Sequence, residues 1–119
     1  MKWLLLVSTL CVSGAVGASE PQLPADYSDV RGAIVFRTYC ALCHGYKADG
    51  SGRAARNYNP RPANLLRSTA SDDYKRRIIR QGGAALGRSQ FMPPWGNELT
   101  DEQIEDVVYF LRVIQGAGD

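Results

Sequence analysis

One histidine, three cysteines and two methionines are all that the 119 residues offer by way of soft or imidazole metal ligands. A single His excludes a multi-histidine metal centre and any Ser/His/Asp hydrolase beyond one built on that residue. Alternating apolar and polar runs of useful length are also lacking, which argues against a sheet. Charge of one sign is not in excess: 14 Lys and Arg face 12 Asp and Glu, a formal net charge of +2. That balance lacks the footprint of a nucleic-acid binder. The one long apolar run, at the N-terminus, falls short of the ~20 residues a membrane span needs. The length suits one domain, and excludes a multi-domain enzyme, a two-lobed nucleotide-binding fold and a barrel.

The start of the chain reads as an export signal. Lys2 precedes Trp3 to Val7 and Leu10 to Val12, and small residues come next at Val16-Gly17-Ala18. A positive start, an apolar run and small residues before a cut define such a leader. Residues 1–18 are therefore expected to be removed, taking Cys11 and Met1 with them. The remainder, Ser19 to Asp119, is read as a single domain. It keeps Cys40, Cys43, His44 and Met92 as its only Cys, His and Met. A core drawn from about 100 residues is small and usually gains support from a disulfide, a metal or a cofactor.

The pattern of this remainder predicts an all-α chain of three main helices and two long loops. Ser28 or Asp29 can cap a first helix from about Val30 to Tyr39, because a short side-chain oxygen accepts from the free N–H groups of a first turn. Gly45 to Asn59 reads as loop, and the prolines of Asn59-Pro60-Arg61-Pro62 extend it. Ala63 to Arg67 can form one helical turn. Ser71 or Asp72 caps a second helix with an apolar stripe of Tyr74, Ile78 and Ile79, ended by Gly82-Gly83. Ala84 to Asn97 is the second loop. Thr100 and Gln103 form a capping box for the last helix, whose Ile104, Val107, Val108, Leu111 and Ile114 recur at helical spacing to about Gln115. Loops this long suit a small domain only if they wrap a large bound group.

Cys40-Ala41-Leu42-Cys43-His44 names that group. It is the C-x-x-C-H pattern of c-type haem attachment. Two thiols near one helical turn apart can each add to a porphyrin vinyl, and the adjacent imidazole lies under the ring beside iron. Export fits, since this haem is attached after export. Structural zinc needs four ligands, and only two Cys and one His remain. A thioredoxin-like pair needs a βαβ setting, which leaves a plain disulfide staple as the other reading. For a second axial ligand, Met92 is the sole thioether. It lies 48 residues past His44 in a segment stiffened by Pro93 and Pro94.

With these residues in hand the chain resembles the class I monohaem cytochromes c over Val30 to Ile114. Cys40 to Gly45 is similar to the family's haem-binding segment, and Met92-Pro93 to its distal-ligand segment. The resemblance implies a cytochrome c fold around one covalent haem c, held by Cys40 and Cys43, with iron ligated by His44 and Met92. It implies that Gly32 lets the first and last helices cross closely, with Phe36 packed near an aromatic of the last helix, best matched by Phe110 with Tyr109 beside it. It also implies a Pro carbonyl, from Pro60 or Pro62, accepting from the ring of His44, and a haem propionate partner among Trp95, Tyr58 and Arg61.

The function so implied is that of a carrier of single electrons in the bacterial periplasm, not an enzyme, since a soft sulfur opposite His favours ferrous iron and fills the sixth site. Two other readings are a haem subunit fixed in a larger oxidoreductase and, if Met92 does not ligate, a gas-binding or sensing haem protein. Lys47 to Arg88 holds ten basic residues against Asp49, Asp72 and Asp73, while Ser89 to Asp119 holds Arg112 against six acids. An Arg-rich face is thus expected to dock on an acidic patch of a redox protein, by attraction that salt screens. The bland counterpart is a solvated helix around Arg76-Arg77-Arg80. Neither nucleic acid nor a membrane anchor is expected.

Overall fold

The computed structural model describes residues 28–116, and the leader and its cut after Ala18 lie outside the described residues. Among the described residues the fold is all-helical with no strand. The helices are α1 (Ser28–Val35), α2 (Ala41–His44), α3 (Asp72–Gln81) and α4 (Asp101–Gly116). Single 3₁₀ turns at Ala55–Asn57 and Ala84–Leu86 interrupt the two long connections. No helix among the described residues is long and apolar enough to cross a membrane.

Helix α4 begins as its capping box dictates. Thr100 N donates to Gln103 Oε1 at 2.9 Å, and Gln103 N to Thr100 Oγ1 at 3.2 Å. Its Ile104, Val107, Val108 and Leu111 are buried and form the floor of the core, joined by Val35, Phe36, Ala41, Ala48, Ile79 and Leu99. Helix α1 crosses α4 at Gly32. A Cβ there would run into the carbonyl of Asp106 and lie 2.7 Å from Phe110 Cβ, so only glycine permits the approach. Phe36 and Phe110 pack beside the crossing with ring centroids 5.5 Å apart. Arg31 locks it, with Nε 2.6 Å from Asp106 Oδ2 and Nη2 2.9 Å from Asp106 Oδ1.

The first helix does not stop near Tyr39. The chain passes from α1 through a π turn, Phe36–Cys40, straight into α2. Ala41 N donates to Phe36 O, five residues back, which opens the turn by one residue. Thr38 Oγ1 bonds the Ile34 carbonyl at 2.8 Å within this widened stretch.

Two further expectations need correction. Ala63 to Arg67 makes a bend and turn, not a helical turn. Asn64 Oδ1 accepts from Leu66 N and Arg67 N, offering the backbone a local partner in place of the helical one. On α3, capped by Ser71 Oγ at Tyr74 N, the buried residues are Lys75 and Ile79, with Tyr74 and Ile78 only half-buried. Lys75 can be buried because its ammonium reaches Asp72 Oδ1 and Gln115 Oε1. Gln115 Nε2 in turn donates to the carbonyls of Leu65 and Ser68, tying the end of α4 to the loop. Gly82 ends α3 with φ +80°.

Candidate functional site

The Cys-x-x-Cys-His segment spans the end of the π turn and all of α2. Helical geometry sets Cys40 and Cys43 three residues apart, so their side chains emerge on neighbouring parts of one face. Both are free thiols and half-buried. Burial, reinforced by the nearby Cys43, pushes the Cys40 thiol up to about 12. It therefore stays protonated at neutral pH.

The loop after α2 is folded back onto this segment. Gly50 N, Gly52 N and Ala54 N donate to the carbonyls of His44, Cys43 and Leu42 at 2.8, 3.2 and 3.0 Å. These are carbonyls that the end of a helix leaves without partners. A Cβ on Gly52 would strike the Cys43 and Leu42 carbonyls, so glycine is required for the loop to lie so close.

His44 is held from behind by a backbone carbonyl. Its Nδ1 lies 3.0 Å from Ala63 O. A carbonyl can only accept, so Nδ1 carries the proton and Nε2 keeps its lone pair for a metal. Burial lowers the His44 pKa, partly opposed by the bond to Ala63, and so favours the neutral ring. Neither Pro60 nor Pro62 makes this bond. The acceptor belongs to the residue just after Pro62, where the chain first turns its carbonyl toward the ring.

Met92 is half-buried and packs against the core together with Tyr39, Cys40 and Trp95. Its loop is fastened to the end of α3. Gly83 N donates to Met92 O at 2.8 Å, Trp95 N to Ile79 O at 2.8 Å and Gly96 N to Arg80 O at 3.1 Å. Two ring pairs then join this loop to the His44 side. Trp95 meets Tyr39 edge-on at 5.4 Å, and Phe91 meets Tyr58 at 5.0 Å. The resemblance offered Trp95, Tyr58 and Arg61 as alternative propionate partners and singled out neither Tyr39 nor Phe91. Ring pairing between distant loops leaves no local pattern to read.

Two groups of arginines differ in their pairing. On α3, Arg76 pairs with Glu105, Arg80 with Asp101 and Arg77 with Asp73. Arg53, Arg56 and Arg61 line one open cleft beside the Cys-x-x-Cys-His loop and have no ion pair among the described residues. The cleft thus carries three positive charges without ion pairs among the described residues, whereas the expected helix face is largely neutralised by its neighbours.

Taken together, these residues fit a covalent haem c. Two free thiols stand on one helical face, and an imidazole has one nitrogen satisfied and the other free. A thioether projects from a braced loop. Among the described residues no group of three His, Cys, Asp or Glu converges as a metal cluster.

Known proteins point to a cytochrome c fold for this all-helical chain. The family model for cytochrome c oxidase, cbb3-type, subunit III matches residues 28–111. No curated protein matches the sequence. Among solved structures the chain is similar to the Kuenenia stuttgartiensis reducing HAO-like protein complex Kustc0457/Kustc0458. The identity is 30%, with a TM-score of 0.59 over 71% of this chain and 41% of that chain. The present chain thus spans less than half of that relative's length.

Proposed function

The chain belongs to the cytochrome c oxidase, cbb3-type, subunit III family, and from that premise we propose that it carries single electrons on one haem c tethered by Cys40 and Cys43 and ligated by His44 and Met92. Electron transfer on haem c is what the family supplies. The finer assignments rest on this chain's own residues. The bound haem would contribute an iron that changes oxidation state by one electron. The thiols of Cys40 and Cys43 would each add across a vinyl group, sulfur to one carbon and hydrogen to the other, with no oxidant consumed. Ala63 orients His44 and raises its basicity, so that Nε2 is a firm ligand. The braced segment Met92-Pro93-Pro94 restricts where the sulfur can go, which suits a weak ligand that must not wander between oxidation states.

Residues 1–18 and the post-export chemistry of haem attachment support a periplasmic location. Redox proteins are the partners, and an acidic patch on them would meet Arg53, Arg56 and Arg61, which have no ion pair among the described residues. The observation that carries the proposal is the His44 Nδ1 to Ala63 O bond at 3.0 Å, which leaves the opposite nitrogen of the only His free. The test is the far-red sulfur-to-iron charge-transfer band of the ferric protein. A band lost in Met92→Ala supports His/Met ligation. A high-spin c-type spectrum with no such band would refute the Met ligand and favour gas binding.

A second reading, a haem subunit held in a larger oxidoreductase, draws on the multi-chain complex among the structural relatives and on that chain's greater length. Exposed Tyr46 and Leu42 would then lie in an interface. Gel filtration of the native protein separates the two readings.

A further inference from the structure

The loop that carries Met92 is bonded to only one of its neighbours. Its backbone hydrogen bonds to the rest of the chain run to the last turn of α3, at Ile79 and Arg80, and to Gly83 just past it. Among the described residues no hydrogen bond or ion pair joins residues 84–99 to the His44 side, residues 40–63. What bridges the two sides is aromatic. Phe91, next to Met92, meets Tyr58, which closes the 3₁₀ turn Ala55–Asn57 by donating its N–H to Ala55 O. Trp95, three residues after Met92, meets Tyr39, which precedes Cys40. The Tyr39–Trp95 pair is packed on the core. In the Tyr58–Phe91 pair, Phe91 is 44% exposed and Tyr58 half-buried.

We propose that the Tyr58–Phe91 pair is a clasp that holds the Met92 loop closed over the His44 side, and so sets how readily an external ligand displaces the Met92 sulfur from iron. This rests on the assignment of Met92 as ligand. Both rings are positioning residues, acting through the loop. Displacing the sulfur requires the loop to swing away, hinged where Gly82-Gly83 bonds it to α3, and the rings must part as it does. Removing either ring raises the population of the open loop. An external ligand binds only that population, so its apparent affinity rises by the same factor. An aromatic pair of this geometry corresponds to roughly a two- to tenfold change.

Imidazole binding to the ferric protein, monitored by loss of the sulfur-to-iron band, tests this. Phe91→Ala and Tyr58→Ala are each expected to tighten imidazole binding roughly two- to tenfold, with the double variant no tighter than either single one. Phe91→Tyr and Tyr58→Phe keep the ring contact and are expected to stay at the wild-type value. Thr100→Ala, which removes the capping box of α4, is expected to lower thermal stability without changing imidazole affinity. Unchanged affinity in the two Ala variants, additive effects in the double variant, or an equal gain in Thr100→Ala would each overturn the clasp. A wild-type protein with no sulfur-to-iron band would overturn the Met92 assignment and the clasp with it. The band present with imidazole affinity unmoved would overturn the clasp alone.

Discussion

Replacing Gly32 by alanine sets two effects of known size against each other. Alanine in a helix interior is favoured over glycine by about 1 kcal/mol. The new methyl, however, would enter the Asp106 carbonyl and lie 2.7 Å from Phe110 Cβ. Carbon atoms sit comfortably at about 3.5–4.0 Å, so α1 and α4 must separate by roughly 1 Å. The obstacles are a backbone carbonyl and a Cβ, which no rotamer change can move. Overpacking of this kind costs about 1–3 kcal/mol, and a rigid site belongs at the upper end. Separation would also stretch the Arg31 to Asp106 bonds at 2.6 and 2.9 Å and loosen Phe36 on Phe110. The net expectation is a loss of about 2 kcal/mol, which for a domain of this size lowers Tm by roughly 8–16 °C. Thermal unfolding tracked by far-ultraviolet circular dichroism, at equal haem content, measures it. Gly116→Ala is the control, because nothing lies within 4 Å of that position, and its Tm should hold or rise slightly. A Gly32→Ala protein as stable as wild type would refute the close crossing.

Three more outcomes are expected. Gln115→Ala orphans the Leu65 and Ser68 carbonyls and a bond from Lys75; at about 1 kcal/mol per bond it should cost about 2–3 kcal/mol in guanidinium unfolding. Gly50→Ala puts a Cβ 2.7 Å from Pro62 O at φ +84°, displaces the stretch of chain carrying Ala63 and weakens its bond to His44. A less basic imidazole stabilises ferric iron less, so the reduction potential should rise in voltammetry, and an unchanged potential would show that Ala63 does not tune the ligand. Neutralising Arg53, Arg56 and Arg61 together to Gln should slow oxidation by hexacyanoferrate several-fold at low salt. The same change at Arg76, Arg77 and Arg80 should do less, and both effects should fade at 1 M salt, where the Debye length is about 3 Å. Equal slowing by the two sets would refute the loop as the charged face.

Where the sequence was informative, the information was local or periodic. The Thr100–Gln103 box, the Ser71 cap, the stripe on α4 and the Gly82 stop are each set by residues within a turn of one another, and all stand in the structure. The α1–α4 crossing at Gly32, with Phe36 on Phe110, was implied by the resemblance to the cytochromes c and stands in the structure. The Cys-x-x-Cys-His unit was legible as a unit of chemistry. What escaped was of another kind. The support of His44 is a backbone carbonyl, and an alanine carries no sign that its oxygen matters. Lys75 is hidden because its charge is met by Asp72 and by Gln115, forty residues on. Asn64 unmade a helical turn with its own side chain. The ring pairs unite segments that no periodicity relates, and the pairing of Arg76 with Glu105 and of Arg80 with Asp101 exists only once α3 faces α4.

The widened turn at Phe36–Cys40 changes how distances along the chain translate into directions. A regular helix advances about 100° per residue, so His44, twelve residues after Gly32, would point about 120° away from it. A turn that absorbs one extra residue makes those twelve count as eleven, and His44 comes to within about 20° of Gly32's direction. The glycine that meets α4 and the histidine offered to iron are thereby brought into line along one side of the rod. Shortening the stretch by one residue, at Thr38 for instance, would turn it into plain α-helix and leave that alignment standing. Lengthening it by one would swing both thiols and the imidazole a quarter-turn or more from where the rest of the fold is built to receive them.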